Sequence, residues 1–282
     1  MVKEYRDASR GEVPGTVLLV GHRLISEALT AGIRLRHVMV ATDAIEHTDI
    51  GLLLEHIDSA LVTVATASAT VMDAVSPVSS PSEIVALAAR PVLNLSPYAG
   101  PDPLVVILCD MQNPGNVGAI VRVAEAAGAT AVVVAGLSAD PFGWKALRGS
   151  MGSALRLPIS LATSAFDAVS DARRCGASVV ATVPRDGLSP DRARLTGPLC
   201  VLIGGEGLGL VPDVLHQADQ HVSIPMQAPV ESLNAAVAAA VLLYEARRQR
   251  TPHTHTQLHA PADRTPDEPG TTDYGPRASK AR

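Results

Sequence analysis

Apolar positions along this 282-residue chain fall into two recurring patterns. Short unbroken runs at 104–108, 131–135 and 199–203 are bounded by Pro, Gly, Asn or Asp, which is how strands buried on both faces read. Between them lie longer stretches with the three- and four-residue spacing of helices. The second part of the chain is therefore predicted to carry strands near 104–109, 131–135, 158–161, 178–183, 199–203 and 221–225, with helices between, among them 117–127 and one from Pro212. This alternation implies a mostly parallel sheet covered on both faces. Strand-like runs at 16–20, 37–40, 61–64 and 84–88, with helical stretches at 24–31 and 50–57, predict a smaller α/β unit before it. Pro97, Gly100, Pro101 and Pro103 resist regular structure. From Thr251 onward Pro, Thr, His, Asp and Gly prevail without apolar periodicity, the composition of a disordered segment. The predicted organisation is an amino-terminal α/β domain over 1–95, a linker over 96–103, the main α/β domain over 104–250 and a tail over 251–282.

Three strand ends carry the candidate chemistry. The run 104–108 leads into Asp110-Met111-Gln112-Asn113-Pro114-Gly115-Asn116 and a helical stretch carrying Arg122. The run 199–203 ends in Gly204-Gly205-Glu206-Gly207-Leu208-Gly209, and glycines at that density let a ligand lie against backbone. The third segment, Ile224-Pro225-Met226 through Ser232-Leu233-Asn234, joins an extended piece to a helix that is apolar almost all round. There Leu233, Ala236, Val237, Ala240, Val241 and Tyr244 keep the spacing of one buried stripe, while Ala235, Ala238, Ala239, Leu242 and Leu243 make the other faces apolar. Such a helix needs cover on more than one side, which points to a second copy of the chain. Ser232 and Asn234 stand at its start, where side-chain oxygens meet free N–H groups.

Composition narrows the class. Hydrophobic residues make up 47% and charged residues 18%, ample for cores, and no apolar run reaches the length of a membrane span. The opening residues lack a signal-peptide core, so a cytoplasmic protein is expected. Cys109, Cys175 and Cys200 lie too far apart for a metal motif and read as reduced core residues. His253, His255 and His259 alternate in a polar tail without Cys or carboxylate partners, so no metal site is expected. The chain is acidic, with a net charge of −5, and the imbalance sits in the segment through Asp102, where 12 acidic residues face 7 basic ones. Nucleic-acid binding would then need local clusters, with Arg23, Arg34, Arg36, Arg148 and Arg156 as candidates. Aromatics are only 2%, which disfavours a sheet that stacks many bases. The glycines at 204–209 do not make G-x-G-x-x-G after a first strand, and no P-loop motif occurs.

Asn113 to Arg122, Ile203 to Gly209, and Ile224-Pro225-Met226 with Ser232-Leu233-Asn234 resemble, in order, the three motifs of the SpoU (TrmH-type) RNA ribose 2′-O-methyltransferases of the SPOUT superfamily. The likeness covers about residues 104–250, and 20–29 with 81–86 more loosely resemble that family's substrate-binding domain. The resemblance implies a trefoil-knotted, mostly parallel sheet domain, a homodimer, RNA (rRNA or tRNA) as partner and S-adenosylmethionine as donor. It places the donor against Gly204, Ile224, Met226 and Leu233, and implies catalytic or positioning roles for Asn116, Arg122, Glu206, Ser232 and Asn234. Arg122 would align the acceptor, since guanidinium clamps phosphate but stays protonated and is a poor base. Arg23, Arg148 and Ser150 would face RNA. Structural readings stand beside these: Asn116 as a turn residue, Glu206 as a helix-dipole partner, Ser232 as a cap. The alternative function is a non-catalytic RNA-binding or assembly factor that keeps the fold. Intact Asn116, Arg122, Glu206 and Asn234 argue against it.

Overall fold

The computed structural model describes residues 1–58, 60–94, 96–207 and 209–251, so the expected tail and its histidines lie outside the described residues, as does Leu208 of the glycine segment. The first half forms a mixed sheet from β1 (Thr16–Val20), β2 (Leu35–Ala41), β3 (Thr63–Ala67) and β4 (Ile84–Ala89), in the order β1-β4-β2-β3. Strand β4 lies antiparallel to both β1 and β2, and its interior position explains why residues 84–88 are apolar and at most 1% exposed. The third strand begins two residues later than its sequence suggests, because Leu61 of the preceding turn is 80% exposed. Helices α1 (Val2–Ser9), α2 (His22–Thr30), α3 (Thr48–Glu55) and α4 (Ala69–Val75) pack around this sheet. Of these, α1 and α4 had no clear periodic signal. Tyr5 anchors α1 in the core, its hydroxyl 2.7 Å from His37 Nδ1.

The second half is an all-parallel sheet of β5 (Leu104–Cys109), β6 (Ala131–Ala135), β7 (Ile159–Ala162), β8 (Ser178–Thr182), β9 (Leu199–Gly204) and β10 (Gln220–Val222), ordered β10-β8-β9-β5-β6-β7. Its helices are α5 (Pro114–Ala127), α6 (Trp144–Ser150), α7 (Ser153–Arg156), α8 (Ala165–Arg174), α9 (Pro212–Leu215) and α10 (Ala235–Arg250). Residues of β5 alternate between two cores: Val106 and Leu108 pack with α5 and α10, and Val105 and Ile107 pack with α8. Each such buried side chain contributes about 1.5–3 kcal/mol, which is why the strands tolerate no polar residue there. The first of these cores runs on into the four-stranded sheet, so Met1–Thr251 is one compact unit with two sheets. The segment between the sheets is irregular, as its prolines require, and clips edge strand β7 through Asn94 N to Ile159 O at 2.7 Å.

Two expectations need correcting. On α10 the buried face is Ala239, Leu242, Leu243 and Ala246, packed along α5, whereas Leu233, Val237, Val241 and Tyr244 are exposed. Both stripes of an alanine-rich helix satisfy helical spacing, so periodicity could not choose between them. Among the cysteines, Cys109 and Cys200 are buried thiols that burial pushes up to about 12, but Cys175 caps the end of α8 and is exposed. Among the described residues no helix is long and apolar enough to cross a membrane.

Candidate active site

The carboxyl ends of β5, β9 and β10 open on the same edge of the parallel sheet, where open α/β sheets place their ligands. After β5 the chain turns at Asp110, held at φ +52° with its Oδ1 accepting from Leu137 N at 2.8 Å. Asn113 then caps α5, accepting from Gly115 N at 2.8 Å and Asn116 N at 3.3 Å, with Pro114 opening the helix. The helix therefore starts three residues before its predicted start at 117, because Pro and Gly that read as breakers occupy a first turn that suits them. Asn116 is thus a residue of α5 and not of an open turn, and it is 8% exposed.

Asn116 ties the three segments together. Its Nδ2 donates to Glu206 of the glycine turn, and its Oδ1 accepts from Asn234 Nδ2 at 3.1 Å. Asn234 in turn caps α10, its Oδ1 accepting from Ala236 N at 2.9 Å and Val237 N at 3.4 Å. One buried amide therefore sets the relative positions of the β5, β9 and β10 ends. Glu206 stands in a turn, well before α9, so it serves no helix dipole. Ser232 does not cap α10 either; that role falls to Asn234.

Beside this bridge lies a cleft of about 410 Å³. Gly204, Ile224, Met226, Ser232, Leu233 and Asn234 all line it, and Glu206 stands at its glycine wall. Thr182 and Pro184, from the end of β8, form a wall that the sequence did not single out. Only the strand order, which sets β8 between β10 and β9, reveals it. The cleft combines apolar side chains, backbone at glycines and a few hydroxyl and amide groups, which suits a ligand with a flat apolar base and polar edges. The reason for glycine at 204 differs from the expected one. A Cβ there would stand 2.6 Å from the Gly209 carbonyl carbon and 2.8 Å from Leu210 N, so the chain itself fills that space. Gly205 is similarly pressed, its added Cβ falling 2.2 Å from the Asp110 carbonyl oxygen.

The remaining candidate residues are not part of this bridge. Arg122 is exposed on α5, with no hydrogen-bond or ion-pair partner among the described residues. Arg23 and Arg148 line a separate groove. Ser150 differs from the RNA-facing expectation: it is wholly buried, and its hydroxyl donates to Leu147 O at 2.9 Å. Arg156 is held by Glu125 at 2.8 Å and by Glu27, and Arg36 donates to Thr16 Oγ1 at 2.7 Å, so neither is a free cation. Arg34 is exposed at the start of β2.

Fold and site together define an α/β enzyme whose ligand cleft is built from loops at the carboxyl edge of a parallel sheet. Residues 103–244 match the SpoU rRNA Methylase family, and the chain belongs to that family of RNA methyltransferases. Its fold is similar to the crystal structure of the SpoU methyltransferase AviRb from Streptomyces viridochromogenes in complex with the cofactor AdoMet: 30% identity, TM-score 0.78, 88% of this chain and 97% of that one. It is 28% identical to the 23S rRNA (guanosine(2553)-2′-O)-methyltransferase RlmP of Bacillus subtilis over 82% of this chain and 88% of that one. An uncharacterized tRNA/rRNA methyltransferase of Synechocystis is 38% identical over 52% of this chain, and the match spans only 54% of that relative's length.

Proposed function

We propose that this protein transfers a methyl group from S-adenosylmethionine to a ribose 2′-hydroxyl of structured RNA, with ribosomal RNA as the substrate class. The observation that carries this reading is the Glu206–Asn116–Asn234 bridge, which holds three family motifs around one cleft. The donor supplies an electrophilic methyl on a sulfonium. This chain's residues supply position, and positioning two reactants is worth about 7–11 kcal/mol of a barrier. Backbone at Gly204, Ile224 and Leu233, with Met226 beside them, would hold the donor. Arg122, always charged and without a hydrogen-bond or ion-pair partner among the described residues, would align the acceptor ribose and its phosphate while the proton leaves to phosphate or water. Support for a two-fold dimer comes from Val237, Val241 and Tyr244, exposed at successive helical turns of α10, with Leu233 exposed just before the helix. The division at 95 and 104, a knotted passage of β9 and the glycine turn, and a cytoplasmic location belong to the same proposal. Calorimetric titration with S-adenosylmethionine tests the cleft: saturable binding that S-adenosylhomocysteine competes away is expected, and absence of binding would contradict the assignment.

A further inference from the structure

A groove of about 810 Å³, roomier than the donor cleft, lies where α2 and α3 meet the end of α6, and methyl transfer as described gives it no task. Leu24 and Leu53 are buried beneath it, while Leu52 of α3 and Met151, just past α6, line it at 53% and 44% exposure. Arg23 and Arg148 also line it, and neither has a hydrogen-bond or ion-pair partner among the described residues. Of the acidic residues of the lining, Glu27 holds Arg156, while Asp49 Oδ2 stands 3.7 Å from His22 Nε2, an ion pair only when that imidazole is protonated. His56 Nδ1 lies 2.7 Å from Leu52 O. A carbonyl oxygen only accepts, so Nδ1 carries the proton and Nε2 of the neutral ring is left as an acceptor.

We infer that this groove takes one unstacked nucleotide of the RNA substrate. The inference rests on the RNA methyltransferase reading above and extends it to how the RNA is chosen. A nucleobase has flat apolar faces and polar edges; the exposed aliphatic side chains suit the faces, and His56 Nε2 can accept from an exocyclic amino group. The two unpaired guanidiniums complement its flanking phosphates and can also stack on the base. Sequence-specific RNA recognition works mostly on such splayed-out bases. Packing gives the groove a consequence for specificity. Helix α6 sits hard against the start of α5: a Cβ at Gly118 would fall 2.2 Å from Ala146 O, and one at Gly149 would fall 3.3 Å from Gly115 O. Arg148 is therefore fixed relative to the first turn that carries Asn116, and a nucleotide in the groove is read at a fixed offset from the methylated ribose.

The test uses the full chain and three fluorescein-labelled RNA hairpins: a fully paired stem, the same stem with one unpaired adenosine, and that stem with an abasic residue there. Anisotropy should show the unpaired adenosine bound about tenfold tighter than either control, the scale of one base contact. Leu52→Ser should erase that preference, and Arg148→Gln should weaken all three hairpins with a shallower salt dependence. Donor affinity should stay unchanged in both variants. Equal binding of the three hairpins by the wild-type protein, or a preference that survives Leu52→Ser, overturns the groove assignment. Displacement of the bulged hairpin by micromolar free AMP also overturns it, in favour of a free-nucleotide site. Wild-type methylation of ribosomal RNA without any bulge preference defeats the groove alone. A bulge preference without methylation supports the groove and defeats the enzyme reading.

Discussion

Replacing Asn116 should damage both the fold and the donor cleft, by amounts the structure sets. Asn116→Ala removes the donor to Glu206 and the acceptor for Asn234 Nδ2. A neutral hydrogen bond contributes about 1 kcal/mol net and one to a charged group about 1.5–3 kcal/mol. Glu206 is exposed and can rehydrate, which discounts the second figure, so the loss should be roughly 2 kcal/mol. The near-isosteric Asn116→Asp is more informative. It keeps an acceptor for Asn234 but sets a second carboxylate against Glu206, and two like charges 4 Å apart repel by about 1–4 kcal/mol between the aqueous and near-surface limits. At neutral pH it should therefore be less stable than Asn116→Ala although it fills the site better. Urea unfolding would read stability, and calorimetry would read donor affinity, expected to fall about tenfold as the glycine turn and the α10 start lose their common tie. Wild-type stability for Asn116→Asp would refute the reasoning, because it would mean that the 116 amide does not donate to Glu206.

Gly204→Val should unfold the protein or lower its stability by at least about 3 kcal/mol, since the added carbons meet backbone at 2.6 Å; a folded variant with normal melting would contradict the packing described. Arg122→Ala should leave stability within about 0.5 kcal/mol and donor affinity unchanged, yet slow methyl transfer at saturating RNA by about a hundredfold or more; normal single-turnover rates would remove its assigned role. Burial holds the His37 imidazole below its ordinary 6.5, and its Nε2 has no hydrogen-bond partner among the described residues. The unfolded chain thus binds that proton first, so stability present above pH 6.5 should fall as pH drops below it. Urea midpoints at pH 8 and 5.5 should show a smaller difference in His37→Phe, and an unchanged difference would contradict the assignment.

Much of the architecture was legible because it rests on local pattern. The central parallel strands β5, β6 and β9 are buried on both faces, so each reads as an unbroken apolar run, and all six strands were anticipated within three residues. What stayed hidden depends on tertiary context. Helix α1 carries only Val2, Tyr5 and Ala8 toward the core, too little for a periodic signal, and is held by one buried tyrosine. The exposed stripe of α10 was mistaken for its buried one because alanine packs on any face. At the site, the motif residues 116, 206 and 234 could be named from sequence, but not that Asn116 bridges the other two. That contact joins positions about a hundred residues apart in the chain. At Gly204 an added Cβ would meet the chain's own Gly209 and Leu210, neighbours that only the folded turn reveals. Ser150 is a polar residue in a polar-looking segment that the helix packs inward.

The central claim is ribose methylation, and alkaline hydrolysis tests it most directly. RNA is cut by alkali through the free 2′-hydroxyl, so a 2′-O-methyl group protects the adjacent linkage. Ribosomal RNA from cells lacking this gene would be incubated with the protein and S-adenosylmethionine labelled on its methyl, then hydrolysed to completion. The account predicts label in alkali-resistant dinucleotides, absent with Arg122→Ala. Label confined to mononucleotides, or no transfer from a preparation that binds the donor, would contradict it.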